Sequence, residues 1–273
     1  GGSPVGSQVG YWKFDEGNGT TAYNSGNGGS TYNGTLSGST LPVWSNDSKV
    51  GKSLSFLNGY VQTPAQTMSS NFTYSVWFKP VGSFSAWAAV ITNLSHGVPS
   101  SGLNIVPQNG SVRICYGNGV GGYTYYDISS NEVAIDTWTH VTFSYDGTVG
   151  KLYINGKFKD TRTLTISQSS QVIRFGIWAS SFSSYLFSGL IDEVKVYNYA
   201  LTDSEVQLDY NQGKSLVLGS KGTESDGKTP SNSASRAYCP PGNVEGNCAP
   251  GLNPAPVGEW SLDDGSGTTA KDK

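Results

Sequence analysis

Apolar residues recur at every second position through much of the chain from Val9 to Gly213, in short runs separated by clusters of Gly, Asn and Ser. In FTYSVWFKP the alternation places Phe72, Tyr74, Val76 and Phe78 on one face. In THVTFSYDG it places Val141, Phe143 and Tyr145 on one face, and the run ends at Asp146-Gly147. KLYINGKF directs Leu152 and Ile154 to a common face and turns again at Asn155-Gly156. A period of two broken by Asp-Gly and Asn-Gly predicts antiparallel hairpins and not parallel βαβ units. Helical signals are confined to one short stretch, where Thr202 caps, Glu205 completes a capping box, and Leu201 and Val206 form a hydrophobic staple. Gly213 is the expected stop.

The opening VGYWKFDEGNGTTAYNS, Val9 to Ser25, returns as VGEWSLDDGSGTTAKDK, Val257 to Lys273. This predicts a complete unit over residues 9–213 and, over 257–273, the truncated start of a second repeat from a tandem array. Residues 1–8 read as an N-terminal linker and 214–256 as a Gly/Ser/Pro-rich linker. Apolar density falls in the latter, and six of the twelve prolines lie between Pro230 and Pro256.

Composition narrows the class. Charged residues make up only 14% of the 273, with 36 glycines among many Ser, Thr, Asn and Tyr, so turn and strand formers dominate. A net charge of -3 supplies no basic surface for nucleic acid. No apolar run reaches the length of a membrane span, which argues against direct membrane insertion. Cys239 and Cys248 bracket a short Pro/Gly loop and are candidates for a local disulfide in an oxidising compartment. Cys115, in the alternating SVRICYG, reads as a small buried hydrophobe. His96 and His140 have no metal-ligand spacing.

The ordered set YWKFDEGNGTTAYNSG, NGTL, KVGKSLSFLNGYVQTP, FTYSVWFKP, WTHVTFSYDG with KLYINGKF, and SGLIDEVKVYNYAL resembles the LamG-like, or laminin G/pentraxin-type, family of concanavalin A-like jelly rolls, in its bacterial form. The resemblance covers Val9 to Gly213. It implies an all-β, two-sheet antiparallel sandwich with one short C-terminal helix and adjacent first and last strands. It also implies an extracellular or cell-surface location, a binding role and association with calcium. Fold alone does not fix a ligand.

Within that frame, alternation puts Trp12 and Phe14 on one face and Tyr11, Lys13 and Asp15 on the other. Asp15 leads into a Gly-rich loop whose carbonyls and Asn24 offer the oxygen ligands that calcium needs. The resemblance carries an Asp where this chain has Asn24, and the second copy has Asp272 there; an Asx-turn closing the loop is the alternative for Asn24. In GLIDEVKVYN, alternation groups Leu190, Asp192, Val194 and Val196 against Ile191, Glu193, Lys195 and Tyr197. A buried Asp192 needs a cation or backbone N–H donors. Asp15, Asn24 and Asp192 are therefore the candidate calcium ligands. Tyr116, Tyr123, Tyr125 and Tyr126, in and beside the glycine-rich GNGVGGYTYYD, are the candidate ligand platform, since flat aromatic faces stack on sugar rings, and Trp87 and Trp178 invite the same reading; the alternative is that they are ordinary residues of exposed strands and hairpins, where Tyr is common.

Catalysis is not expected. Alternation sends Asp192 and Glu193 to opposite faces, and the paired carboxylates of a glycoside hydrolase are missing from the strand. Nor is there a nucleophile elbow, P-loop or metal-hydrolase helix. The leading expectation is a calcium-stabilised binding or adhesion module for carbohydrate or a surface ligand, with further LamG-like repeats or domains in the parent chain. The alternatives are a structural spacer or assembly subunit of a modular surface protein, and an accessory domain of a polysaccharide-degrading enzyme.

Overall fold

The computed structural model describes residues 8–95, 97–178 and 185–211. All of them lie in the first of two compact units, Gly1–Ser215. They form two eight-stranded antiparallel sheets packed face to face. One sheet runs Lys157–Thr163, Val149–Ile154, Thr139–Tyr145, Phe72–Pro80, Gly189–Tyr197, Ser53–Phe56 and Val43–Ser45, with Gly10–Trp12 also paired to Gly189–Tyr197. The other runs Thr124–Ser129, Ser111–Asn118, Ser101–Gln108, Ile91–Thr92, Ser170–Phe175, Gly59–Thr67, Gly34–Gly38 and Thr21–Ala22. The all-β sandwich and the adjacency of the first and last strands are as expected, with Gly10, Tyr11 and Trp12 opposite Val196, Lys195 and Val194.

The alternating residues fill the space between the sheets. Trp12, Phe14, Phe72, Tyr74, Val76, Phe78, Val141, Phe143, Tyr145, Leu152 and Ile154 all belong to the main core. Trp12 sits edge-on to Phe175, ring centroids 4.8 Å apart, and its indole N–H donates to the Tyr32 carbonyl at 2.9 Å. The Asn155-Gly156 turn has φ of 51° and 72°, the two left-handed residues of a tight hairpin whose twist suits the strands it joins.

Strict alternation fails in the strand Gly189–Tyr197. Ile191, Val194 and Val196 join the main core, whereas Leu190 does not. The register against Phe72–Pro80 shifts between Asp192 and Lys195, and Glu193 adopts φ 50°. A β-bulge thus inserts one residue and resets which side chains face inward. The expected grouping of Leu190 and Asp192 with Val194 is corrected accordingly, and so is the argument that Asp192 and Glu193 must point to opposite faces.

The helix is Asp203–Tyr210, capped by Thr202. The Thr202 hydroxyl accepts from the Glu205 N–H, and Glu205 accepts from the Thr202 N–H at 2.6 Å. Leu201 and Val206 pack together with Tyr153 and Tyr197. The helix ends on Asn211; Gly213, the linker, the second copy and the Cys239 and Cys248 pair lie outside the described residues, as does His96. Removing the capping hydroxyl by Thr202→Ala is expected to lower stability by about 1 kcal/mol. Denaturant unfolding checks this, as a lower midpoint with an unchanged slope.

Candidate functional site

Asp15, Asn24 and Asp192, the candidate calcium ligands, fall in two arrangements. Asp192 is fully buried, and its Oδ2 accepts from the backbone N–H groups of Lys49 at 2.8 Å and Val50 at 3.0 Å. Asp15 Oδ1 accepts from the N–H of Lys52 at 2.6 Å. Two of the three candidates therefore meet on one loop and hold it by its backbone. Gly51, at φ 58°, lies so close that a Cβ there would come within 2.1 Å of Asp15 Oδ1. Burial pushes the Asp192 carboxyl up to about 7, against the pull of the two N–H donors.

Asn24 belongs to a separate arrangement. Its Oδ1 accepts from the N–H groups of Tyr11 at 2.7 Å and Gly26 at 2.9 Å, the latter closing an Asx-turn. Its Nδ2 faces the carbonyls of Val9, Gly26 and Gly29 at 3.2, 3.1 and 3.0 Å. The three residues do not present one shared set of oxygens to a cation. Among the described residues, no group of three or more His, Cys, Asp or Glu is placed to hold a metal ion.

A second polar group lies on the outer face of the first sheet, beneath the helix. Lys195 Nζ donates to Asp209 Oδ1 at 2.8 Å and lies 3.7 Å from Glu193 Oε2, which also accepts from the Tyr11 hydroxyl at 2.7 Å. Ser75 donates to Asp209 Oδ2 and lies 2.8 Å from His140 Nε2. Ser75, His140 and Asp209 are all buried, so this group does not face solvent. Asp209 accepts the Ser75 proton, and His140 Nε2 lies 3.5 Å from the same Asp209 Oδ2. His140 itself is only 1% exposed. Its Nδ1 is buried without a hydrogen-bond partner. In the sequence His140 showed only the absence of a metal-ligand spacing and Lys195 only its strand face; Ser75 and Asp209 were missed, although polar residues alternating with core ones in FTYSVWF and THVTFSY mark a second buried face.

The third arrangement is aromatic and lies on the face of the second sheet turned away from the core. Ala89, Leu94, Val106, Cys115 and Trp178 form a small apolar cluster there, with Trp87 and Tyr185 packed on it. Trp87 stands edge-to-face with Trp178 at 5.0 Å, Tyr125 at 5.3 Å and Tyr123 at 6.2 Å; Tyr123 meets Trp178 at 5.3 Å. The register explains the grouping, since Cys115 pairs with Tyr125 and Arg113 with Asp127 across one hairpin. Arg113 lies 4.5 Å above the Trp87 ring and 4.6 Å above the Tyr125 ring, and Asp127 holds it through two bonds of 2.7 and 2.9 Å. Tyr125 is 50% and Tyr123 37% exposed.

The predicted tyrosine set therefore divides. Tyr123 and Tyr125 come together with Trp87 and Trp178, whereas Tyr116 and Tyr126 pair with each other and pack against the main core, Arg162 covering Tyr126. The period of two separates neighbours in sequence onto opposite faces. Arg113 and Asp127 went unnoticed in the sequence because the contact depends on hairpin register; SVRICYG and GGYTYYD, laid antiparallel, carry the signal.

The model of the concanavalin A-like lectin/glucanases superfamily matches residues 55–207. No curated protein sequence matches the chain significantly. Among solved structures, the fold is similar to domain 4 of AbnA, a GH43 extracellular arabinanase from Geobacillus stearothermophilus in complex with arabinotriose: TM-score 0.60, 24% identity, 76% of this chain and 100% of that one. It is similar also to the binding domain of Paraclostridial Mosquitocidal Protein 1, with TM-score 0.60 and 18% identity over 76% of this chain and 52% of that one. The botulinum neurotoxin serotype D binding domain gives TM-score 0.56 and 16% identity over 78% and 51%. This chain thus spans about half of either toxin domain, and the likenesses show a shared fold.

The buried histidine gives a pH signature. Burial lowers the His140 pKa below its ordinary value of 6.5, more than Asp209 raises it, while Lys195 and Lys49 add to the lowering. The unfolded chain then binds a proton that the folded one refuses, so this group's contribution to stability is lost as pH falls from above 6.5 toward the depressed folded value. His140→Gln keeps a polar partner for Ser75 and does not titrate. Its unfolding free energy is expected to vary less than wild type between pH 7 and 5, measured by denaturant titration at each pH.

Proposed function

Because the chain belongs to the concanavalin A-like lectin/glucanases superfamily, we propose that it is a non-catalytic binding module of a secreted or surface protein, whose ligand is a glycan held on the aromatic face of Trp87, Tyr123 and Tyr125, with buried Trp178 supporting them from below. The observation that carries this reading is the clustering of two tryptophans and two partly exposed tyrosines on the outer face of one sheet. Aromatic rings offer a sugar the flat apolar surface that its C–H faces cover, and the polar rim supplies orientation. Arg113, clamped by Asp127, stiffens the platform by lying over both Trp87 and Tyr125. Rings held in place lose less freedom when a ligand arrives.

Two further points support binding over hydrolysis. The carboxylates of GLIDEVKVYN, Asp192 and Glu193, are buried and engaged internally. Domain 4 of the arabinanase, which shares the fold, was solved with arabinotriose. In this reading the unit over 9–213 is one module of an array, followed by a linker and the beginning of another.

A glycan array on the purified chain, followed by calorimetric titration of the best ligand, tests the proposal. Tyr125→Ala is expected to weaken binding about tenfold, equivalent to about 1.4 kcal/mol. Tyr23→Ala, exposed but in the opening loop, is expected to leave affinity unchanged. Absence of selective binding by the unaltered chain would overturn the reading in favour of a spacer.

A further inference from the structure

The carboxamide of Asn24 does what a cation does in a carbonyl-lined loop. Three backbone carbonyls, those of Val9, Gly26 and Gly29, converge on Nδ2 within 3.0–3.2 Å. Two backbone N–H groups, those of Tyr11 and Gly26, converge on Oδ1. The amide orientation is thereby fixed from both ends, since turning it over would set oxygen against three carbonyls and nitrogen against two N–H groups. Its two N–H bonds serve three acceptors. They draw together the segment before the first strand and the loop after Asn24, which the N–H of Gly28, bonded to Val9 O at 2.8 Å, also ties.

A carboxylate at this position keeps the Oδ1 contacts and loses both donors. Its second oxygen then faces three carbonyls with nothing positive between them. That oxygen set, three carbonyls and a carboxylate, is the hard-ligand chemistry of a calcium site, the remaining positions being open to water. The repeated sequence poses the same choice: VGYWKFDEGNGTTAYNS carries Asn24 where VGEWSLDDGSGTTAKDK carries Asp272. The other acids considered for a cation do not supply the missing charge here, because Asp15 and Asp192 hold the Lys49–Lys52 loop.

We propose that Asn24 replaces a bound cation in this domain, so that the fold is independent of calcium, and that the single change Asn24→Asp turns the opening loop into a calcium-dependent one. The inference does not rest on the glycan reading and is tested without any glycan. Thermal unfolding of the full chain is followed by near-ultraviolet circular dichroism in excess EDTA and in excess calcium chloride. The unaltered chain is expected to show one midpoint in both, and a midpoint raised by calcium would overturn the proposal. N24D is expected to melt several degrees lower in EDTA and to recover most of that loss in calcium, while N24A, lacking the carboxylate, loses stability and recovers none. If N24D does not fold in EDTA, refolding it in calcium reads the same property. An N24D that calcium fails to rescue in either format would overturn the carbonyl cage.

Discussion

A buried ammonium constrains one whole side of this molecule. The Lys195 side chain is only 10% exposed, and a charge taken from water at a cost of several kcal/mol persists only where partners surround it. The partners come from three places in the chain. Glu193 is brought alongside by the β-bulge, Asp209 by the C-terminal helix, and the Tyr11 ring by the opening strand. Burial alone would raise the Asp209 carboxyl, yet Lys195 and the His140 contact hold it well below the ordinary carboxylate range. The helix Asp203–Tyr210 is too short to stand by itself. It is kept by this ion pair, by Val206 and by Tyr210 stacked on Trp77 at 5.3 Å.

The same constraint explains why the central strands of the first sheet, Phe72–Pro80, Thr139–Tyr145 and Gly189–Tyr197, are buried on both faces. Thr73, Ser75, His140, Thr142 and Ser144 are polar and nearly inaccessible. Thr73 and Ser144 are satisfied by the backbone of Tyr199 and Leu201, which lead into the helix, and Lys49 closes over Trp77 at 4.1 Å. Buried hydroxyls with such partners fix where the covering segments lie, since a shifted cover would strand several donors at once.

This explains which parts of the molecule were legible in the sequence. Alternation identified the inward residues of Phe72–Pro80, Thr139–Tyr145 and the opening strand, because there the period of two runs unbroken between the sheets. It failed at Asp192 to Val194, where one additional residue resets the faces and no local signal marks the bulge. The capping box was legible because it is written within four residues. The aromatic site was half legible: a run of tyrosines announces itself, but which of them share a face with Trp87 and Arg113 is decided by strand pairing. Asn24 could be seen as a turn former, whereas the three carbonyls that meet it are set by backbone geometry alone.

The two outer faces therefore differ in kind, and that difference bears on where a ligand can sit. On the first sheet, helix and loop cover the central strands, and Lys195, Glu193, Asp209 and Tyr11 are engaged with one another. On the second, the cover is a thin apolar cluster around Cys115 and Val106 with aromatic rings above it, and Tyr125 remains half exposed beside a clamped guanidinium. Rings kept partly in water, in a chain that buries Trp12, Tyr74, Tyr145 and Tyr153 almost completely, do not serve the core. Edge-to-face contacts and the Arg113 clamp hold them in a set arrangement. The charge layer on one side of the sandwich is thus closed over by helix and loop, whereas the aromatic layer on the other stays partly open to solvent.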